Sequence, residues 1–391
     1  MTTDTVYLDH AATTPMRPAA VEAMLPFLTA RFANPSGSHA LSRDARRAVD
    51  DARDQVAATI GCRPGEVVFT SGGTEGDNAA IAGALRRCAG RAVCPAAEHH
   101  AVLHVVERHG GTVVDVDELA RVDAAALRDT LEEALTGRAE RVGVVSIMAV
   151  NNEVGTINDL AALAPLVRSS APDAVFHTDA VQAAGWLDLR RIWPHVDVLT
   201  LSAHKFGGPK GVGIAAMRTG VDVDPLIVGG GQERDRRSGT HNVGGIVAAA
   251  AALVEADAER EAESKRIGAL RDHLVAGVVS GAVGVRETVP PAAKVAGSAH
   301  LLVEGVDNEL LLYLLDSAGV CASAASACAS GAQERSHVLA AMGVDREWSR
   351  GAVRMTLGHT TTEAEVDRAV AVAVGAIETL RQRMATAVGG V

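Results

Sequence analysis

Two lysines in one short segment are the first residues that suggest chemistry. The segment LSAHKFGGPKG (201–211) contains Lys205 and Lys210, two of only four lysines in the chain. Lys205 follows an apolar run and is flanked by small residues and a histidine. A desolvated lysine amine is deprotonated and nucleophilic, as a Schiff-base enzyme requires. A surface loop with solvated lysines is the alternative interpretation.

An aspartate and a glycine-rich turn extend this pattern. Asp179 ends another apolar run in HTDAVQ (177–182), where a buried carboxylate is costly without a cation such as a protonated pyridine nitrogen. Gly72, Gly73 and Thr74 lie between a predicted strand and a predicted helix, where backbone N–H groups can bind an anion. The turn matches neither GxxxxGKS/T nor GxGxxG. It is therefore either a plain tight turn or a site for a phosphorylated group smaller than a dinucleotide.

The elements that position these residues indicate an α/β fold. Between residues 16 and 217, short apolar runs alternate with helical patterns. We predict strands at 66–70, 112–116, 142–148, 175–179, 198–202 and 212–217. We predict a helix from Ser42 to a left-handed cap at Gly61, a turn at 71–76 and a helix over 77–87. Continuous apolar strands separated by helices indicate a mostly parallel sheet that is covered on both faces.

The second half of the chain predicts a smaller unit. Residues 246–278 have a long helical pattern, the spacing after them is typical of a small α+β unit, and the alanine-rich tail 363–387 predicts a terminal helix. We therefore expect a large domain over 16–253 and a small domain made of 1–15 and 254–391, the latter carrying the loop around Cys328.

Composition excludes several classes of protein. There are 48 acidic against 37 basic residues, and the formal net charge of −11 makes nucleic acid an unlikely partner. The first residues lack a charged segment followed by an apolar run, and no stretch of about 18 apolar residues occurs. We expect a soluble, cytoplasmic protein without a membrane partner. The five scattered cysteines predict neither a disulfide framework nor a metal site.

Eleven segments, in order along nearly the whole chain, resemble the cysteine desulfurases. This group is the class V aminotransferase branch of the fold-type I enzymes that use pyridoxal 5'-phosphate (PLP). The segments are YLDHAATTP (7–15), NPSGSH (34–39), FTSGGTE (69–75), EHHAV (98–102), VNNEVG (150–155), HTDAVQ (177–182), SAHK (202–205), GGGQER (229–234), RSGT (237–240), SAC (326–328) and VR (353–354). The resemblance implies a large domain with a mostly parallel, seven-stranded type of sheet and a small α+β domain.

The resemblance also implies a role for each residue around the cofactor ring. Lys205 would bind PLP as a Schiff base, and Asp179 would pair with the pyridine nitrogen and keep it protonated. His99 would stack on the ring and help to move protons. Asn152 and Gln182 would lie beside the phenolic oxygen.

A second set of residues would hold the phosphate. The resemblance assigns this task to Gly73, Thr74, Ser202 and His204. It also implies a homodimer, because Thr240 would reach the phosphate from a second subunit.

The substrate implied is L-cysteine, which would leave as L-alanine. Arg354 would grip its carboxylate with Asn152 nearby, and Lys205 would take the α-proton. Cys328 would attack the substrate sulfur and carry it as a persulfide to an acceptor protein. We expect the small-residue run around Cys328, 322–331, to be a mobile loop.

Three features near Cys328 bear on this interpretation. Ala325 replaces a glycine and Arg335 replaces a proline that relatives often have, which puts loop mobility and partner choice in doubt. For Cys321 we favour a structural role over that of an accessory thiol.

Two alternatives stay open. One is a PLP enzyme of the same fold with other chemistry, such as transamination, selenocysteine lysis or sulfur release from another thiol amino acid. The other is a sulfur-delivery module that is active only with a partner. The acceptor is an iron–sulfur scaffold, a tRNA-modifying enzyme or a carrier for a specialised metabolite, and the sequence does not distinguish these.

Overall fold

A computed structural model describes residues 5–88, 90–136, 140–324 and 335–389. The strands are β1 (Val6–Tyr7), β2 (Val67–Thr70), β3 (Arg91–Pro95), β4 (Thr112–Val114), β5 (Val142–Ser146), β6 (Val175–Asp179), β7 (Val198–Ser202), β8 (Gly213–Met217), β9 (Val285–Glu287), β10 (Ser298–Val303), β11 (Val320–Cys321) and β12 (Ala352–Thr356). The helices are α1 (Pro18–Leu28), α2 (Ala40–Ile60), α3 (Gly73–Arg87), α4 (His100–Arg108), α5 (Ala124–Leu135), α6 (Leu160–Ser170), α7 (Leu189–Ile192), α8 (Val243–Gly281), α9 (Asn308–Ser317), α10 (His337–Ala341), α11 (Arg346–Arg350) and α12 (Glu363–Gly389).

A seven-stranded sheet forms the centre of the large unit, in the order β2-β8-β7-β6-β5-β3-β4. Strand β8 is antiparallel to both of its neighbours, and the other pairs are parallel. Every residue of β5, β6, β7 and β8 is buried, as expected for a sheet with helices on both faces. The predicted α/β class with a mostly parallel, seven-stranded sheet is confirmed.

Most predicted elements are present, with two differences. The strand β3 was not predicted, because its five residues begin with an arginine and end with a proline. The helix α3 begins at Gly73 rather than at Asp77, so the predicted turn is wrong over residues 73–76. Glycine is needed at position 73 because a Cβ atom there would lie only 2.7 Å from Cγ2 of Val181. The left-handed cap at Gly61 is confirmed, with a φ of 83°.

The smaller unit contains an antiparallel sheet, β12-β10-β9, and the parallel pair β1-β11. The 39-residue helix α8 connects it to the large unit. The buried apolar residues of α8 between Val243 and Ala256 belong to the hydrophobic core around the large sheet, whereas Ile267, Leu274 and Val278 belong to the core of the small unit. The predicted domain boundary at 253/254 falls inside this helix, and the division itself stays a prediction.

The N-terminal segment joins the small unit. Val6 pairs with Val320, and Asp9 forms a bridge to Thr356 at the end of β12. The segment then continues past the carboxyl ends of β6 and β7 into α1. Within the described ranges, no helix combines the length and apolar character needed to cross a membrane.

Candidate active site

Lys205 lies at the carboxyl end of β7, in a short 3-10 turn formed by Ala203–Lys205. Its Nζ donates to the carbonyl oxygens of Ala11 and Ala12, at 2.5 and 2.9 Å. Gly207 follows with a φ of 92°, which turns the chain so that the N–H of Gly208 bonds to the carbonyl of Ala203. Lys205 is half-buried and Lys210 is exposed. The two lysines of the segment therefore occupy different environments, and Lys205 has the one suited to chemistry.

Asp179 is the last residue of β6, the strand beside β7, and it is buried. Its Oδ1 accepts a hydrogen bond of 2.8 Å from the N–H of Val181. Burial, together with the nearby carboxylate of Asp77, raises the pKa of Asp179 to about 7. A cationic ligand beside it would favour the ionised form. This is the environment expected for a carboxylate that pairs with a protonated ring nitrogen.

The raised pKa of Asp179 predicts how the stability of the cofactor-free protein depends on pH. Between about pH 4 and pH 7 the folded protein binds a proton here that the unfolded chain has lost, so the free energy of unfolding falls as the pH rises through this range. Asp179→Asn, which does not titrate, should unfold less readily than the parent at pH 8, by roughly 1–3 kcal/mol. The two proteins should differ little at pH 4. Chemical denaturation at both pH values is the measurement, and an unchanged difference would contradict the assigned environment.

His99 is the N-cap of α4, and its Nδ1 accepts a hydrogen bond of 3.1 Å from the N–H of Ala101. The proton of the neutral ring is therefore on Nε2. Burial and the positive charge of Lys205 lower the pKa of His99 to about 4. A neutral imidazole with this tautomer can stack on an aromatic ring and donate from Nε2, whereas taking a proton requires Nδ1 to release the N–H of Ala101.

The N-terminus of α3 meets the ends of β6 and β7, and its geometry suits an anion. A Cβ atom added to Gly73 would lie 2.7 Å from Cγ2 of Val181 and 3.6 Å from Cβ of Ser202, so glycine permits the close approach. The first-turn N–H groups of α3, including those of Gly73 and Thr74, have no acceptor inside the helix. Because the helix dipole adds positive potential at this end, a phosphate fits here.

His204 and Thr240 are also predicted to hold the phosphate, and the first is half-buried while the second is exposed. His204 lies within 3.2 Å of Oγ1 of Thr13 through its Nδ1, and burial with the charge of Lys205 lowers its pKa to about 4. Thr240 is exposed in the single chain. Arg237, three residues earlier, bonds to Glu75 in the first turn of α3 at 2.9 Å.

Arg354 lies on β12 and is buried. Its Nη1 donates to the backbone carbonyl of Asn152, and its Nη2 donates to Oδ1 of Asp9, both at 2.8 Å. Among the described residues, neither Nε of Arg354 nor Oδ1 of Asn152 has a hydrogen-bond partner, although both atoms are buried. Such atoms indicate a missing ligand, because an unsatisfied buried polar group costs free energy.

Asn152, Gln182 and Lys205 line one cavity. The amide of Gln182 donates to the same Ala11 carbonyl that accepts from Lys205, at 2.8 Å. The structure thus brings the predicted lysine, amides and carboxylate together at the carboxyl edge of the sheet. Cys328 and Ala325 lie outside the described residues. Ser323, just before them, pairs with Arg354 through backbone hydrogen bonds of 3.0 and 2.8 Å.

The contribution of the N-terminal segment to the site could not be predicted from residue types. Lys205 bonds to the carbonyls of Ala11 and Ala12, and Arg354 bonds to the carboxylate of Asp9. Every residue has a backbone carbonyl, so residue types do not indicate which carbonyls take part in a site. Asp77, a buried acid whose Oδ1 accepts a hydrogen bond from Thr200 on β7, was not predicted either. The sequence signal was that Asp9 lies within one of the eleven segments and Asp77 lies two residues after another.

The site has a lysine after β7, a buried carboxylate at the end of β6, and the N-terminus of α3 beside Val181 and Ser202. This is the arrangement of a PLP-dependent enzyme of fold type I. The buried atoms without partners and the glycine cradle fit the cofactor and its substrate. The family model for aminotransferase class V matches residues 6–369. An IscS-like cysteine desulfurase of Mycobacterium tuberculosis is 42% identical, over 98% of this chain and 99% of the relative. The cysteine desulfurase IscS of Methanosarcina thermophila is 39% identical, over 96% and 93%.

Solved structures give the same result. A NifS-like protein superposes with a TM-score of 0.87 at 34% identity, covering 96% of this chain and all of that one. SspA in complex with cysteine superposes with a TM-score of 0.75 at 28% identity, covering 90% and 99%. The chain belongs to the class V aminotransferase family and, within it, to the cysteine desulfurases.

Proposed function

We propose that this protein is a PLP-dependent desulfurase that converts L-cysteine to L-alanine and carries the sulfur as a persulfide on Cys328. The observation that carries the proposal is the 42% identity to a cysteine desulfurase over 98% of the chain. The cavity lined by Lys205, Asn152 and Gln182 supports it, as does the buried Asp179 at the end of the neighbouring strand. Purified protein given cysteine and a reductant should release sulfide and alanine in equal amounts.

PLP, when bound, draws electron density away from the α-carbon of the substrate. The ionised carboxylate of Asp179 keeps this pull strong by stabilising a protonated ring nitrogen. The amine of Lys205 takes the α-proton, and the carbonyls of Ala11 and Ala12 are placed to hold the resulting ammonium. His99 exchanges a proton through its neutral imidazole. Gly73, Thr74, Ser202 and His204 hold the phosphate, and Gln182 orients the phenolic oxygen.

Arg354 and Asn152 bind the carboxylate of the substrate. A carboxylate beside Arg354 would satisfy its Nε, which is buried and without a partner in the described part of the chain. Since the guanidinium already has acceptors at Nη1 and Nη2, its plane is fixed before the substrate arrives. A fixed donor plane favours bidentate binding of a planar carboxylate.

Arg354→Lys should weaken the binding of cysteine while the PLP content stays the same. Lysine keeps the positive charge but loses the planar fork, and the loss of one charged hydrogen bond costs about 1.5–3 kcal/mol. KM should rise by roughly tenfold or more. Steady-state kinetics with PLP quantified in parallel test this, and unaltered kinetics would count against the assignment.

Sulfur transfer requires the Cys328 thiolate. A free thiol titrates near about 8.5, so a base must take its proton at neutral pH. His99 is the candidate, and for this step its Nδ1 has to release the N–H of Ala101. The thiolate bonds to the substrate sulfur as the Cβ–S bond breaks. The electron pair of that bond passes to the substrate carbon, which gains a proton and becomes the methyl group of alanine.

A homodimer is part of this proposal. Helix α1 leaves Leu25 and Leu28 more than half exposed, and Phe32 beyond it is 72% exposed. The other face of α1 packs on the start of α8, where a Cβ on Gly244 would lie 3.2 Å from Cβ of Phe27. Thr240 lies only four residues before Gly244. Thr240 is itself exposed and so accessible to a second copy, whose phosphate it would contact according to the resemblance.

Sedimentation of the PLP-loaded protein should show a dimer. Phe32→Asp places a charge in the apolar face, so it should shift the equilibrium towards monomer and weaken PLP retention. Val283→Asp, at an exposed valine of the small unit, is the matched control and should leave the dimer intact. A fully active monomer would refute the shared site.

We place the enzyme in the cytoplasm and expect a protein acceptor for its sulfur, such as an iron–sulfur scaffold. The alternatives are other chemistry on the same fold or activity that requires a partner. Robust sulfide and alanine release by the purified protein alone would favour a self-sufficient desulfurase. Genomic neighbourhood would best identify the acceptor.

A further inference from the structure

Asp9 has an unusually well-fixed backbone for a residue in a connecting segment. Its carbonyl accepts hydrogen bonds from the N–H groups of Ala12 and Thr13, at 3.0 and 3.3 Å, and from the hydroxyl of Tyr7 at 3.1 Å. Asp9 also forms a parallel bridge to Thr356, the last residue of β12. The backbone that carries the Asp9 carboxylate is therefore held in place. Its bridge partner, Thr356, lies two residues after Arg354 on β12.

The carboxylate of Asp9 forms an ion pair with Arg354. Oδ1 of Asp9 lies 2.8 Å from Nη2 of Arg354, and the two side chains are 22% and 6% exposed. Within the described ranges, Asp9 is the one acidic residue at ion-pair distance from this arginine. Glu153 also senses the charge of Arg354, but burial raises its pKa and its Oε2 accepts a hydrogen bond from Ser336. Asp9 is therefore the anion that compensates the buried guanidinium.

The contacts of the guanidinium leave one edge for a ligand. Nη1 and Nη2 are held by the Asn152 carbonyl and by Asp9, which come from separate parts of the chain. Two fixed acceptors define the plane of the guanidinium and leave Nε, buried and without a partner among the described residues, for the substrate. Without Asp9, a single acceptor would remain, and the long side chain could rotate about it.

We infer that Asp9 is a positioning residue for substrate recognition, which orients Arg354 towards the carboxylate of the amino acid without touching the substrate itself. This inference rests on the proposed role of Arg354. Asp9 also neutralises the arginine, so the site selects a carboxylate through donor geometry more than through net charge. Its effect should consequently appear only with ligands that have a carboxylate.

The test compares L-cysteine with cysteamine, which has the same amine and thiol but no carboxylate. Binding to the PLP-loaded protein is followed by spectral titration in a Cys328→Ser background, which prevents turnover. Asp9→Ala should weaken the binding of L-cysteine by roughly tenfold and leave that of cysteamine unchanged. Asp9→Asn keeps an acceptor oxygen and should restore most of the L-cysteine affinity. Asp173→Ala removes an exposed surface ion pair with Arg141 and is the control without effect.

Arg354→Ala, tested in parallel, separates the two hypotheses. If it keeps the preference for L-cysteine over cysteamine, the proposed role of Arg354 is wrong. If it loses the preference while Asp9→Ala keeps it, only the role of Asp9 is overturned. The double variant should bind as Arg354→Ala does, because Asp9 acts through the arginine.

A second variant keeps the inference testable if Asp9→Ala does not fold. Asp9→Glu retains the charge but displaces the acceptor by one methylene, so L-cysteine should bind more weakly than in the parent. Unchanged or tighter binding of L-cysteine in Asp9→Glu would mean that Asp9 supplies charge alone or competes with the substrate. Either result would overturn the positioning role.

Discussion

Lys205→Ala is expected to abolish both the visible absorbance of lysine-bound PLP and all turnover. The covalent link to the cofactor and the amine that removes the α-proton are lost together. No other lysine replaces it. Lys210 is exposed beyond the Gly-Gly-Pro turn. Lys265 lies on α8, and Lys294 lies in the segment before β10. Lys294 is moreover engaged in a buried ion pair with Glu287. Activity should fall by several orders of magnitude.

The variant should still fold, which makes the loss interpretable. The Ala11 carbonyl keeps its hydrogen bond from Gln182 when the lysine amine is removed. Lys210→Ala is the matched control, since it changes the other lysine of the same segment and should retain both colour and activity. Absorbance spectra, intact mass after borohydride reduction and alanine release are the measurements. A Lys205→Ala protein that remains covalently labelled with PLP after reduction would overturn the assignment.

The central sheet can be predicted from the sequence because strands that are buried on both faces consist mainly of apolar residues. Strands such as Gly213–Met217 have no polar side chain, and helices of different periodicity separate the strands. The strand Arg91–Pro95 lacks this pattern, since its terminal residues are those that strands disfavour. The start of α3 was misplaced for a related reason, because glycines at a helix N-terminus look like a turn.

The candidate site could be predicted only as far as its side chains lie in recognisable segments. Lys205, Asp179 and His99 carry chemistry in their residue types, and the structure places them in environments that suit it. The ion pair between Asp9 and Arg354 joins residues 345 positions apart. Such a contact depends on how the N-terminal segment folds back along β12, which no local pattern encodes. The role of the Ala11 and Ala12 carbonyls could not be predicted for a simpler reason, since alanine has no reactive side chain that would indicate a site.

Cys328→Ser is expected to separate cysteine binding from sulfur release. The change removes the nucleophile but none of the groups that hold the cofactor or the substrate, so the resting spectrum and cysteine binding should be preserved. Sulfide and alanine production should fall to background, because the hydroxyl of serine is a poor nucleophile towards sulfur at neutral pH.

A mass measurement on the unmodified protein tests the same step directly. Brief treatment with cysteine in the absence of reductant should add one sulfur atom to the peptide that contains Cys328. Cys321→Ser is the matched control. Cys321 lies in β11, where it pairs with Tyr7 of β1, and burial raises the pKa of its thiol. That variant should retain the added sulfur if Cys321 is structural, and should impair only later transfer if it acts as an accessory thiol.

Ser323 pairs with Arg354 five residues before Cys328, so the segment that carries the nucleophile begins at the residue expected to bind the substrate carboxylate. An attack by Cys328 on the substrate sulfur is therefore consistent with the chain path up to that point. If Cys328→Ser released sulfur from cysteine as fast as the parent, no thiol of this segment would be needed. The persulfide mechanism would then be wrong, and direct β-elimination of the sulfur would take its place.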